Sequence, residues 1–346
     1  MSTPGRPVTI TEIAREAGVS VPTVSRVVNG RGDVAAATRE RVEALLRARG
    51  YRPQRAAAAR ARTGLLDLVF DDLDSPWAVE ILRGVEEVAR AAGAGVVVSA
   101  VHGSATAARQ WLHDLGSRGS DGVLLVTSHV QRDLEPWLQE RSVPLVVVDP
   151  AGVPPAGVPS VGATNWAGGL AATTHLVGLG HRRTALVGGP PDLLCSRARL
   201  DGHRAALESA GLAMDPALVR QGDFHQESGY REARALLELE DPPTAIFAAS
   251  DQMALGVYEA VRRRGLRVPE DVSVVGFDDL QLAEWASPPL TTVRQPLAEM
   301  GAAAARTVLS LADGQEVSGT RVELATSLVV RHSTAPPRRS TVPPRR

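Results

Sequence analysis

Residues 9–30, TITEIAREAGVSVPTVSRVVNG, hold two short apolar periodicities on either side of a glycine. Ile10, Ile13, Ala14 and Ala17 fall at i, i+3, i+4 and i+7, the spacing of one helix face. Thr9 followed three residues on by Glu12 is a capping box, and Gly18 is a C-terminal stop. Ser20 opens a second helix, and Pro22 is tolerated in its first turn. Val24, Val27 and Val28 form its apolar face before Asn29-Gly30 ends it. Two such helices joined by the tight AGVS turn make a helix-turn-helix, whose second helix can enter a DNA major groove. Residues 36–49 predict a third helix, with Val42, Leu45 and Leu46 inward, Asp33 as the cap and Gly50 at the stop.

Charge marks the same boundary. The 346 residues carry a formal charge of -1, and every one of the 38 basic residues is arginine. Residues 1–62 hold 12 arginines against 5 acids, a net +7. The stretch 63–335 sits near -12, and four more arginines lie in the last 11 residues. A basic head on an acidic body points to a head that binds a polyanion.

Beyond the head, residues 53–64 (PQRAAAARARTG) are helix-prone but lack a large apolar face, so they predict a linker that is helical only in some contexts. From residue 65 the pattern becomes apolar runs alternating with amphipathic helices. Strands are expected at 65–70, 95–101, 122–127, 144–149, 183–189, 245–250, 273–277 and 323–331. Helices are expected at 78–92, 105–118, 131–141, 166–178, 197–210, 226–238, 252–264 and 296–312. Continuous Val/Leu runs imply strands buried on both faces. The fold class is therefore an all-α head followed by α/β, with two doubly wound parallel-sheet lobes. The tail 336–346, PPRRSTVPPRR, predicts disorder.

Several classes are disfavoured. No run of 18 apolar residues is present, and the N-terminus has no apolar signal segment, so the expected compartment is the cytoplasm, away from any membrane. Cys195 is the single cysteine, expected as a packing residue or ligand neighbour. Gly188-Gly189-Pro190-Pro191 lacks the dinucleotide spacing, and His175 and His181 are too scattered for a metal site. With no hydrolase elbow either, an enzyme is not expected, nor is any cofactor or metal.

The motifs, taken in order, resemble the lactose-repressor (LacI/GalR) family of bacterial transcription regulators. After the opening stretch come TRERV at 38–42, GYRP at 50–53, LGHRR at 179–183 and SDQMALG at 250–256. VPEDVSVVGFDD at 268–279 and PPLTTVRQP at 288–296 complete a likeness that covers essentially residues 7–332. The resemblance implies a DNA-binding head over 1–52 and a hinge helix over 53–64. It also implies a two-lobed effector-binding and dimerisation domain of periplasmic-binding-protein type over 65–335.

It further implies roles for particular side chains. Val21, Pro22 and Arg26 take base-facing positions on the recognition helix. Arg26 has the reach for guanine, and Val21 for a thymine methyl. Thr9, Ser20, Thr23, Ser25 and Asn29 match phosphate-positioning sites, although Thr23 and Ser25 also read as caps or solvent-facing polar groups. The family usually has a leucine wedge seven residues after the hinge proline; here that position is Arg60, followed by Ala61. An arginine can insert into a narrow minor groove, or Ala61 press weakly on the base step; without the leucine, a smaller DNA kink or weaker hinge coupling is expected.

For the effector, the matching cleft positions are Ser75, Trp77, Asn165, Trp166, Arg199, Phe224, Asp251, Asp278 and Gln295. Arg199 with Asp278 is a donor fork and a carboxylate suited to vicinal hydroxyls. Trp77, Trp166 and Phe224 are ring platforms, though a loop tryptophan can equally be packing, and Asp251 equally caps the helix after it. The implied function is a repressor of carbohydrate-utilisation genes, a homodimer on palindromic double-stranded operator DNA released by a small sugar. A corepressor-dependent regulator with a purine-like or phosphorylated ligand is the alternative, and a solute-binding protein a remote one.

Overall fold

The computed structural model describes residues 10–28, 34–49, 63–102, 104–126, 143–155, 157–317 and 321–338. The chain divides into two compact units, residues 1–61 and 62–346.

In the first unit, α1 (Ile10–Ala17), α2 (Val21–Val28) and α3 (Ala36–Ala48) enclose one apolar cluster. Its centre is Ile13, Ala14, Ala17, Val24, Val27 and Val42, with Leu45 and Leu46 packed against it. Gly18, at φ +64°, takes the left-handed turn that ends α1, and the Val19 N–H reaches back to the Ala14 carbonyl at 3.0 Å. Arg49, just past α3, donates twice to the Glu16 carboxylate at 3.0 and 2.7 Å, tying α3 to α1. The N-cap of α3 is Ala35, with no side-chain cap, so the expected Asp33 cap does not occupy that position. Asp33 itself, the Thr9 half of the capping box, and the linker including Arg60 and Ala61 lie outside the described residues.

The second unit contains two six-stranded sheets. Lobe 1 has the order β11-β5-β4-β3-β1-β2, all parallel. Its strands are β1 (Leu65–Phe70), β2 (Gly95–Ala100), β3 (Gly122–Val126), β4 (Leu145–Val148), β5 (Ser160–Ala163) and β11 (Arg321–Leu324). One face packs α4 (Pro76–Ala91) and α11 (Leu297–Ala312), and the other packs α5 (Ala105–Arg118). Within lobe 1, buried Asp67 of β1 accepts from Trp111 and Arg118 of α5 at 3.1 and 2.6 Å, and from Ser120, so the one charge in that strand is fully partnered.

Lobe 2 has the order β12-β10-β9-β8-β6-β7, with only β12 (Ser327–Val329) antiparallel. Its other strands are β6 (Thr184–Gly188), β7 (Val219–Gln221), β8 (Ala245–Ala248), β9 (Ser273–Asp278) and β10 (Thr291–Arg294). Helices α6 (Asn165–Gly178) and α7 (Leu194–Ser209) cover one face; α8 (Gln226–Leu237) and α9 (Asp251–Arg263) cover the other. A short α10 (Gln281–Trp285) follows β9. Helices α6 and α7 touch at glycines. A Cβ on Gly169 would overlap the backbone of Arg199, and one on Gly202 would overlap the Trp166 carbonyl.

The chain passes between lobes at Thr164, at Gln295–Pro296 and at Ala325–Thr326. Thr164 and Thr326 lock two of these crossings together: the Thr326 N–H donates to Thr164 Oγ1 at 2.9 Å, and the Thr326 hydroxyl donates to the Thr164 carbonyl at 3.1 Å. The single strand expected over 323–331 is therefore two short strands, one per lobe. The short strands β5, β7 and β10 and helix α10 were not expected. Residues 336–338, expected to be disordered, are placed: Arg338 pairs with Asp271 at 2.7 Å, and the segment before it is held by His181, which bonds the Ala335 carbonyl at 2.9 Å. The expected helix at 131–141 lies outside the described residues.

Candidate functional site

The head presents one polar face. Ser20 is the N-cap of α2: its Oγ accepts from the Thr23 N–H at 3.3 Å and sits 2.8 Å from the Thr23 hydroxyl. Val24 and Val27 turn inward, which leaves Val21, Pro22 and Arg26 exposed, with Ser25 and Thr23 at the margin. Pro22 and Arg26 are four residues apart and so share a helix face. Thr9 and Asn29, the flanking phosphate candidates, lie outside the described residues.

In the body, the carboxyl ends of the strands converge on a cavity of about 300 Å³ between the lobes. Ser75, Trp77, Arg199, Phe224 and Asp278 all line it. Arg199, on α7, is only 3% exposed. Its Nε donates to Asn165 Oδ1 at 2.9 Å and its Nη1 to the Ala249 carbonyl at 2.5 Å. The guanidinium lies 3.7 Å from the centre of the Phe277 ring and 5.5 Å from that of Phe224. Phe224, at φ +72°, has its ring against Gly189, where any Cβ would overlap it. Ser75 caps α4 through the Trp77 N–H at 3.2 Å, and its hydroxyl reaches Gln252 of the other lobe at 3.1 Å.

Acidic residues dominate this cavity: Asp71, Asp72, Asp149, Asp223 and Asp278 against Arg199 and His225. Asp278 ends β9 at φ +116° and accepts from Gln295 Nε2 at 2.6 Å. Burial pushes its carboxyl up to about 7, against the opposing pull of Arg199 and the Gln295 hydrogen bond. Asp149 ends β4 in lobe 1, at φ +45°, bonded by Asn165 and Cys195. Burial raises its pKa also, while Arg199 lowers it. One buried guanidinium, hydrogen-bonded to Asn165 and the Ala249 carbonyl, thus lowers through space the pKa of two aspartates that come from opposite lobes.

Other expected cleft residues sit differently. Asn165 and Gln295 stand behind the wall, positioning Arg199 and Asp278. Asp251 is fully buried and does not line the cavity. Nor is it the cap of α9, a role taken by Ser250, whose Oγ accepts from the Met253 N–H at 3.1 Å. Asp251 instead accepts from Thr292 Oγ1 at 2.5 Å and from the Leu280 N–H at 2.8 Å, bracing the turn after β9. Burial, then the neighbouring Asp278, raise its pKa well above the usual carboxylate range. Trp166 starts α6 outside the main cavity and lines a separate one. Asp149, Asp71, Asp72 and Gln252 were missed as candidates. A carboxylate at the carboxyl end of a parallel strand was the available signal for Asp149.

Residues 9–54 match the model described as bacterial regulatory proteins, lacI family, and residues 173–334 match a periplasmic binding protein-like domain. The HTH-type transcriptional regulator CelR of Thermobifida fusca is 39% identical over 94% of this chain and 98% of its own. The chain belongs to the lacI family. It is a transcriptional regulator built, as that family is, from a helix-turn-helix head and a two-lobed body. Two solved lacI-family structures agree. A transcriptional regulator CelR-cellobiose complex is 38% identical, with a TM-score of 0.73, and the match covers 95% of this chain and 100% of that one. The lac repressor dimer bound to operator and the anti-inducer ONPF is 34% identical, with a TM-score of 0.70 and the same coverage. Among the described residues no helix is long and apolar enough to cross a membrane.

Proposed function

We propose that this regulator is a cytoplasmic repressor whose operator affinity falls when a small neutral sugar occupies the cavity between its lobes, and that it has no enzymatic activity. The observation that carries this reading is that buried Arg199, Asp149 and Asp278, from both lobes, line one cavity with Trp77 and Phe224 alongside. Guanidinium and carboxylates give the mixed donors and acceptors that vicinal hydroxyls need, and the rings give a platform for a sugar face. Five aspartates against Arg199 and His225 favour a neutral ligand over a phosphorylated one, while a neutral purine-like ligand remains the alternative.

A sugar bridging Asp149 and Asp278 interacts differently with open and closed lobes, so it shifts their equilibrium. The three crossings are the hinge. The displacement reaches the linker through its anchor, where Asp121 accepts from the N–H groups of Thr63 and Gly64 at 3.1 and 2.9 Å. The functional unit is a homodimer whose paired heads read a palindrome through Val21, Pro22 and Arg26, with Ser20, Thr23, Ser25, Thr9, Asn29 and Arg60 on the backbone or minor groove. Exposed Val79 of α4 and Val98 of β2 offer apolar surface to the second copy.

The test is a panel of sugars screened by thermal shift on the whole chain, repeated with Arg199→Ala. At least one sugar raises the melting temperature of the wild type and not of the variant. No response to any sugar, or an equal response from both proteins, contradicts the reading.

A further inference from the structure

Trp166 looks onto a second cavity of about 370 Å³, within the usual size of small-molecule sites, about 300–1,000 Å³. Its indole is 48% exposed although it sits at the interlobe crossing. Lobe 1 supplies Ser160 and Gly162 from β5 and Arg321 and Glu323 from β11; lobe 2 supplies Trp166 and Ala198. Thr164, the crossing residue itself, is part of the wall. The two cavities share only Asp149 and Cys195, so the partition between them is a single layer of side chains.

We propose that this second chamber binds a small, neutral, hydroxylated ring of monosaccharide size, separately from the main cavity. The chemistry is that of a polyol site. The Trp166 indole offers an apolar face, and at the rim Arg321 Nη2 and Glu323 Oε1 lie 2.6 Å apart, a donor and an acceptor that adjacent hydroxyls can engage. The position that a Cβ of Gly162 would take has no atom within 4 Å, so that part of the floor is open. Asp149 and Glu323 outnumber Arg321 on the wall, which disfavours an anion. The partition is occupied by Asp149, bonded to both Asn165 and Cys195, so one continuous oligosaccharide cannot thread both chambers without breaking those bonds. Because both lobes and a crossing line the chamber, its ligand favours one lobe arrangement and is linked to the main site. The proposal does not depend on what fills the main cavity.

The five tryptophans allow a direct test on the full-length protein labelled with 5-fluorotryptophan, each fluorine resonance being assigned by a Trp→Phe variant. D-glucose, D-galactose and D-ribose are titrated separately. With at least one of them the Trp166 resonance moves saturably, and it still does so in Trp77→Ala, which alters only the main cavity. In Ala198→Trp, which fills the chamber from α7, the Trp166 resonance stops responding while the melting temperature without sugar shows the protein still folded. A Trp166 resonance that no sugar moves overturns the proposal. So does one that moves with the Trp77 midpoint and falls silent in Trp77→Ala, because it then reports only occupation of the main cavity.

Discussion

The head and the cavity solve opposite problems with charge. Among its described residues the head buries only apolar side chains, Ile13, Val24, Val27 and Val42 among them, and keeps Arg26 exposed, where a phosphate-rich partner can meet it. The cavity buries its charges: Arg199, Asp149 and Asp278 are each 6% exposed or less. Exposed charge acts at long range and is screened by salt, whereas buried charge is screened little but titrates away from its usual range. The two regions should therefore answer to different variables, the head to ionic strength and the cavity to pH.

The largest effect expected is from Ile13→Asp. An unpaired carboxylate at the centre of so small a core unfolds the head, so operator binding falls by more than about 100-fold. The body's sugar-induced thermal shift stays as it was; a loss of both would erase the contrast between regions. Next is Arg199→Ala, which removes the buried cation near Asp149 and Asp278 and leaves Asn165 Oδ1 and the Ala249 carbonyl without their donor, costing about 1–3 kcal/mol for each of those two hydrogen bonds in denaturant unfolding of the body at pH 8. The cost shrinks as pH falls below about 7 and Asp278 takes up its proton; a cost flat with pH would mean that Arg199 acts by packing and hydrogen bonding alone.

Arg26→Ala is third: about 1–3 kcal/mol at one base pair in a binding assay across operator variants, with sugar affinity unchanged. A uniform loss over all sequences would make Arg26 a phosphate contact. The smallest effect is from Asp278→Asn. Folding raises the Asp278 pKa to about 7, so its contribution to stability is present at low pH and is lost as pH rises through about 7. Asparagine removes that loss, and the variant's body is more stable than wild type at pH 8 by about 1–3 kcal/mol, the gap narrowing as pH falls below about 7 and closing near pH 4. It responds less to sugar throughout. A variant destabilised equally at every pH would show that the carboxylate is held by its hydrogen bond and not opposed by burial.

The head was legible because its helix period, its glycine stop and its serine cap are local. The central strands were legible because LLDLVF or GVLLV has no other way to be buried. What failed was non-local. ELATSLVVR reads as one apolar strand, yet Ala325–Thr326 crosses between lobes, and only pairing partners assign β11 to one sheet and β12 to the other. SVGA, VRQ and TTVR carry too little apolar length to stand out. In the site, Arg199 and Asp278 were reached by motif, whereas Asp149 enters only because β4 ends opposite them. Trp166 lines the second cavity and not the main one, which its place in the motif does not reveal: its neighbour Asn165 bonds Arg199 while the indole turns away. Asp251 misled because Ser250, one residue earlier, holds the cap.

The central claim is that occupation of the interlobe cavity weakens operator binding. It is tested most directly by fluorescence anisotropy on a palindrome selected from random DNA, with the full chain, at fixed salt, with and without the sugar that most raises its melting temperature. With sugar, operator affinity falls by about 10-fold or more in the wild type and is unchanged in Arg199→Ala. Operator affinity that the sugar leaves unaltered in the wild type, or lowers equally in both proteins, would contradict it.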